Sequence, residues 1–191
     1  NAAIVFTNLG TAAPPASLGS HAMTPFDLTP QAAIADYTTG ISVIPGSPVA
    51  GTLGVSAAAT KYTVGSTWGS AVTWGHGYLG PVFYSASNPV ILTLPANTKA
   101  FYFYTQSGYI GTWNITAATD SGATSGPISV SAGFSAPTSA NGFGFYSTAG
   151  ENITSITITS SAPPGLGLGE FGISTGPTTT CASEGYTGTK L

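Results

Sequence analysis

No apolar stretch in this chain of 191 residues runs on for long. Gly, Pro, Ser and Thr interrupt each one after a few positions, and that punctuation decides most of what the chain can become. A membrane-spanning helix needs roughly 18 consecutive apolar residues, and none is present. An amphipathic helix needs its 3.6-residue period sustained over several turns. The one candidate is Thr29-Pro-Gln-Ala-Ala-Ile-Ala-Asp-Tyr37, with Thr29 as cap and Pro30 in the first turn, and it is short. What remains is a series of short β runs closed by turn residues.

The runs are clearest in the second half. Val90-Ile-Leu-Thr-Leu94 ends on Pro95-Ala-Asn97, and Ala100-Phe-Tyr-Phe-Tyr104 follows. Phe101 and Phe103 share one face of that strand and Tyr102 and Tyr104 the other, which predicts cover on both sides. Thr112 to Thr119 sets Trp113, Ile115 and Ala117 on one face, so Trp113 reads as core. Asp120-Ser-Gly122 makes a turn, and Ile128-Ser-Val130, Phe143-Gly-Phe145, Ile153 to Thr159 and Gly165 to Ser174 follow. Weaker runs lie at Ile4–Phe6, Ile41–Ile44, Gly51–Ala57, Tyr62–Val64 and Val82–Tyr84. About ten short strands with dense turns predict an all-β, two-sheet β-sandwich, jelly-roll-like in its connections.

The sandwich is expected over 21–175. Residues 1–20 read as an arm, in which Ala3-Ile4-Val5-Phe6-Thr7 is β-prone and a Pro-, Ala- and Gly-rich linker follows. Residues 176–191 form a Thr-, Gly- and Ser-rich tail that carries Cys181, the only cysteine. A single Cys excludes an intrachain disulfide and a Cys-based zinc site; it is either a free thiol or a link to another chain.

Charge narrows the function. Only 5% of residues are charged, there is no Arg, and the net charge is −3; an ordinary soluble domain carries roughly 25% charged residues. Nine Phe, nine Tyr and three Trp supply the core. The solvent face must then be hydroxyls, amides and backbone. Such a surface suits a crowded extracellular or polymerised setting, where repulsion between copies is not needed. Nucleic-acid binding needs clustered Lys and Arg and is excluded. The chain opens on Asn1 without Met, as a secreted protein does once its signal peptide is removed.

Little catalytic chemistry is available. The histidines are His21 and His76, the latter between Gly75 and Gly77 and best read as a hydrogen-bonded turn residue. No Gly-x-Ser-x-Gly elbow occurs, and the six carboxylates show no paired spacing, so an enzyme is not expected. No cofactor is expected either; calcium is the metal that fits best, with Asp120 and Glu170 as ligands. Glu170 interrupts the apolar run Leu166-Gly-Leu-Gly-Glu-Phe-Gly-Ile173. It is either an edge residue with its head in solvent or a buried group at a bulge near Gly169, where it must be paired, protonated or metal-bound. Trp68, Trp74, Tyr78 and Tyr109 are candidate platforms for stacking sugar rings. Asn114-Ile-Thr116 and Asn152-Ile-Thr154 match the glycosylation acceptor pattern, although both fall in expected strands.

The segment Trp68-Gly-Ser-Ala-Val-Thr-Trp-Gly-His-Gly-Tyr-Leu-Gly80, with Leu92-Thr-Leu-Pro-Ala-Asn-Thr-Lys-Ala-Phe-Tyr-Phe-Tyr104, resembles secreted bacterial β-sandwich proteins of the PEP-CTERM-associated type. Phe143-Gly-Phe-Tyr146, Ile153-Thr-Ser-Ile-Thr-Ile158 and Gly169-Glu-Phe-Gly-Ile173 continue it, so that it covers Tyr62 to Ser174. The resemblance implies export and a place in the envelope, the matrix or the extracellular space, with no enzyme activity. The Pro-Glu-Pro sorting signal itself is absent.

Two readings follow. The first is a self-assembling extracellular filament, matrix or surface-layer subunit, in which Ala3 to Thr7 adds as a strand to a neighbouring copy. The second is a carbohydrate-binding or adhesive surface module.

Overall fold

A computed structural model describes residues 3–70, 73–134 and 138–176. The tail expected at 176–191, with Cys181, lies outside the described residues beyond Gly176. The strands fall into two packed sheets. The first has the order β1 (Ile4–Gly10), β12 (Asn141–Ser147), β9 (Ala100–Ser107), β14 (Leu166–Ser174), β7 (Pro81–Ser85). The second has the order β8 (Val90–Thr93), β13 (Ser155–Ser160), β10 (Gly111–Thr119), β11 (Ile128–Ala132). From β7 to β14 the chain crosses between sheets at every step except β10 to β11. The resulting sets, β7-β14-β9-β12 and β8-β13-β10-β11, define a jelly roll.

β6 (Leu53–Thr63) joins the two sheets along one side. Its first half pairs with β8 and with β5 (Ile41–Ile44), and its second half, Thr60 to Thr63, pairs with β7. The sequence reads here as two strands, Gly51–Ala57 and Tyr62–Val64. The small residues Ala57, Ala58 and Ala59 hide the alternation between them, yet let one strand turn the corner from sheet to sheet. A short strand, β4 (Thr24–Pro25), extends the β7 side of β14. β2 (Ser17–Leu18) and β3 (His21–Ala22) form a separate hairpin. The helix α1 runs from Leu28 to Ala32 and is capped by Asp27, whose carboxylate accepts from the Thr29 N–H, so Thr29 is not the cap. No helix among the described residues is long and apolar enough to cross a membrane.

Between the sheets lies the main core, with Phe101, Phe103, Phe143 and Phe145 from the first sheet and Leu92, Ile115, Ile156 and Ile158 from the second. Phe103 and Phe143 stack at 5.3 Å. The outer face of the first sheet is also covered, by the arm and by the segment between β6 and β7. Leu18, Met23, Val64 and Trp74 pack there on Tyr102 and Tyr104 in a second core. Cover on both sides of β9 is therefore realised, and the glycines of β12 and β14 explain how. They face the outer layer, where a Cβ on Gly142 would lie 2.6 Å from the Tyr104 ring and one on Gly167 2.6 Å from Trp68. Glycine in these strands makes room for aromatic rings packed against the sheet.

β1 occupies the end of the first sheet. It pairs antiparallel with β12 of its own chain, from Ile4 opposite Ser147 to Asn8 opposite Phe143. Phe6 packs on Phe145 at 5.2 Å. Ala3 to Thr7, expected at a subunit contact, thus complete their own sandwich here.

Candidate functional site

Where the outer layer stops short of covering the first sheet, an open cleft of about 360 Å³ remains. Its floor and walls are aromatic: Tyr62 from β6, Trp68 from the following turn, Tyr84 from β7, Tyr109 from the β9–β10 loop, and Phe134 after β11. Tyr62, Trp68 and Tyr84 form a mutually contacting triangle with centroids 5.7, 5.8 and 6.2 Å apart, and Tyr37 meets Tyr62 edge-on at 5.6 Å. Edge-to-face and tilted packing holds such rings in place while leaving other faces open.

The Trp68 position is built by hydrogen bonds. Thr63 O accepts from the N–H groups of Thr67 and Trp68, at 3.0 and 2.9 Å, closing the turn. The Thr67 hydroxyl accepts from the Thr63 N–H and donates to Asp36 Oδ2 at 2.7 Å. Asp36 Oδ1 accepts from the Thr63 hydroxyl and from the buried Lys61 ammonium. Burial alone would raise the Asp36 pKa, but the bonds from Lys61, Thr63 and Thr67 outweigh it and hold the carboxyl below its usual range. On its other side the Trp68 indole N–H donates to Gln106 Oε1 at 2.7 Å, and Gln106 Nε2 donates to Thr73 O at 2.9 Å. Tyr84 is raised by burial and by the neighbouring Tyr109, so its phenol stays a neutral hydroxyl.

Of the four aromatic residues marked in the sequence as platforms, Trp68 and Tyr109 line this cleft. Trp74 does not: it is fully buried against Tyr78 and Gly169, a core residue of the outer layer. Tyr78 is tied down by a bond from its hydroxyl to Pro81 O, 2.7 Å long. Trp113, expected in the core, is only half-buried at the end of β10, where its indole N–H donates to Tyr109 O and braces that loop. Tyr62, Tyr84 and Phe134 were not foreseen. The phase of Tyr84, opposite to the buried Phe83, was the signal that it faces outward.

A second constellation lies on the same face. His76 Nδ1 donates to Thr11 O at 3.0 Å, and His76 Nε2 sits 2.8 Å from both oxygens of Glu170. Tyr104 OH donates to Ala12 O at 2.6 Å. Together these bonds clamp the linker of the arm onto the sandwich. Both His76 and Glu170 have left-handed backbones, φ 38° and 51°, and Glu170 occupies a bulge between Gly169 and Gly172. Glu170 is therefore the buried, paired residue of the two readings, not the solvent-facing one. Burial pushes its carboxyl above the usual range; His76 and the nearby Trp74 indole pull back without restoring it. The Trp74 N–H comes close enough for that influence without a hydrogen bond of normal geometry. Burial, and next the Glu170 charge, push Tyr102 up to about 12 and raise Tyr104 and Tyr78 as well. The adjoining pocket of about 290 Å³ is otherwise apolar, with Phe26, Leu28 and Phe171.

The two carboxylates marked for calcium are not brought together. Asp120 Oδ1 accepts from the N–H groups of Thr154 and Ser155, in the second sheet, while Glu170 is engaged by His76 in the first. Among the described residues no group of three or more His, Cys, Asp or Glu is arranged to hold a metal. Asn114 is exposed on β10. Asn152 is exposed in the loop before β13, which starts at Ser155 and not at Ile153.

Fold and site together define a jelly-roll β-sandwich with an open aromatic cleft on its first sheet. No family model matches the sequence, and no curated protein is similar to it. Among solved structures, the chain is similar to the CBM22-1–GH10 modules of xylanase 10B from Clostridium thermocellum, complexed with xylohexaose. The identity is 11% and the TM-score 0.32, over 60% of this chain and 24% of that one, so the match spans about a quarter of that protein's length.

Proposed function

We propose that the protein is a non-catalytic glycan-binding module of an exported, adhesive or matrix protein. The carrying observation is the triangle of Tyr62, Trp68 and Tyr84, open to solvent and held rigid from behind by Asp36 and Gln106. Sugar rings present flat C–H faces that stack on aromatic rings, and a preorganised platform binds them without an ordering penalty. Affinity electrophoresis in gels carrying soluble polysaccharides tests this. Retardation by at least one polysaccharide, lost in a Trp68→Ala protein that still melts cooperatively, is the expected result. Unretarded migration in every gel contradicts it.

A second proposed reading is a filament or surface-layer subunit that assembles by exchanging β1 between copies. It is favoured by the position of β1 at the end of its sheet, on a linker containing Pro14 and Pro15. The same contacts with β12 would then be made by the strand of a neighbour. Val5 lies directly opposite Tyr146. In a Val5→Cys/Tyr146→Cys/Cys181→Ser protein, oxidation gives covalent multimers on a non-reducing gel if strands exchange, and a monomer if they do not.

A further inference from the structure

The cleft does not end at Tyr109. A second depression of about 430 Å³ adjoins it and shares Ile110, Ala132, Gly133 and Phe134 with it. Beyond them it reaches Thr112 and Ser131, whose hydroxyls bond each other at 2.9 Å across β10 and β11. Ile110 and Phe134 stand between the two hollows, 65% and 68% exposed, as an apolar saddle. Phe134 is held there by its carbonyl, which accepts from the Ser70 hydroxyl at 2.9 Å. Large apolar side chains kept this exposed mark a contact surface.

The electrostatics of the groove are those of an uncharged ligand. Among the described residues, no charged side chain lines either depression. The chain has three lysines and no arginine. Lys61 is buried and bound to Asp36 and Thr63, Lys99 donates to Gly150 O away from the groove, and Lys190 lies outside the described residues. A uronate or sulfated sugar entering here would lose hydration and meet no cation among the described residues. Gln106 is spent on Trp68 and Thr73, so recognition falls to ring faces and to the hydroxyls of Tyr84, Tyr109, Thr112 and Ser131.

Resting on the glycan-binding reading, we infer that the groove takes an uncharged polysaccharide along its length, the chain crossing the Ile110–Phe134 saddle from the aromatic cleft, where its rings stack, to the hydroxyls of Thr112 and Ser131. The test uses the full chain in affinity gels with neutral polymers (arabinoxylan, glucomannan, mixed-linkage glucan) and acidic ones (alginate, polygalacturonate). Inhibition by neutral oligosaccharides of increasing length follows in solution. Retardation is expected with a neutral polymer and not with the acidic ones, and inhibition is expected to strengthen with oligosaccharide length. Ile110→Ser/Phe134→Ser, both exposed and so harmless to folding, is expected to weaken long oligosaccharides about tenfold and short ones by clearly less, so that the gain with length is lost. Retardation by acidic polymers alone, or equal inhibition by short and long oligosaccharides, overturns the inference while leaving a glycan site in place. Binding to none of the polymers overturns both. If Trp68→Ala binds like the parent chain, the site lies elsewhere, and the inference again fails.

Discussion

Two tryptophans six residues apart illustrate how differently one residue type is used. Trp68 is half-buried and lines the open cleft, whereas Trp74 is wholly enclosed. Trp74→Ala is expected to lower unfolding free energy by about 3–5 kcal/mol, the usual range for emptying a large aromatic site. Trp68→Ala is expected to cost much less stability and to remove glycan binding; denaturant titrations of both variants give the comparison. Their neighbour His76 poses a different problem. Removing it as His76→Phe leaves a carboxylate buried and unpaired, which costs about 3–5 kcal/mol unless the group takes up a proton. The pH dependence follows from the raised Glu170 pKa. A carboxyl with a folded pKa above its unfolded one binds the proton better in the folded state. Its contribution is present in full below the unfolded pKa, about 4.3 for glutamate, and declines as pH rises toward the folded value. Glu170→Gln is expected to flatten that decline in melting temperature; an unchanged profile would mean that Glu170 does not titrate as its burial requires.

At the level of elements, apolar or alternating runs bounded by turn residues were legible before any coordinates: β8, β9, β10 and β14 fall close to the expected positions. Alternation reports which face is buried, and here it also reported the two-sided cover of β9. It does not report what lies on a glycine face, because Gly carries no side chain to read. Gly167 is therefore silent in sequence and decisive in space, since Trp68 rests on it. Gly167→Ala is expected to displace the indole and weaken glycan binding about tenfold with a small loss of stability, measured by titration calorimetry beside a thermal melt. The cleft escaped the sequence for a related reason. Its walls come from β6 and the turn after it, β7, the β9–β10 loop and the segment after β11, far apart in the chain, and periodicity within one segment carries no information about such a meeting. The turn at Asp120 was legible, but its bonds to the start of β13 were not. Those bonds from Thr154 and Ser155 overcome a burial effect in the opposite direction and lower the Asp120 pKa. The stability they contribute is present above the unfolded pKa and is lost as pH falls through the folded one. Asp120→Asn should therefore remove part of the acid limb of the melting curve.

For the whole molecule, scarcity of charge now has a structural meaning. The charged groups described do internal work: Lys61 and Asp36 brace the Trp68 turn, Glu170 and His76 hold the arm, and Asp120 fastens β10 to β13. Most of what the described residues present to their surroundings is uncharged. Association by ring stacking and neutral hydrogen bonds does not depend on screened Coulomb attraction, whereas binding through ion pairs weakens steeply as the Debye length shrinks. The affinity for a neutral polysaccharide is therefore expected to change by less than about twofold between about 0.05 and about 0.5 M NaCl. The same holds for self-association if β1 is exchanged, because main-chain bonds and Phe6 packing carry that contact. Binding constants and sedimentation profiles over that salt range give the answer. A steep loss of glycan affinity with salt would mean that charges outside the groove do the recognising, and the uncharged cleft would lose its claim to be the site.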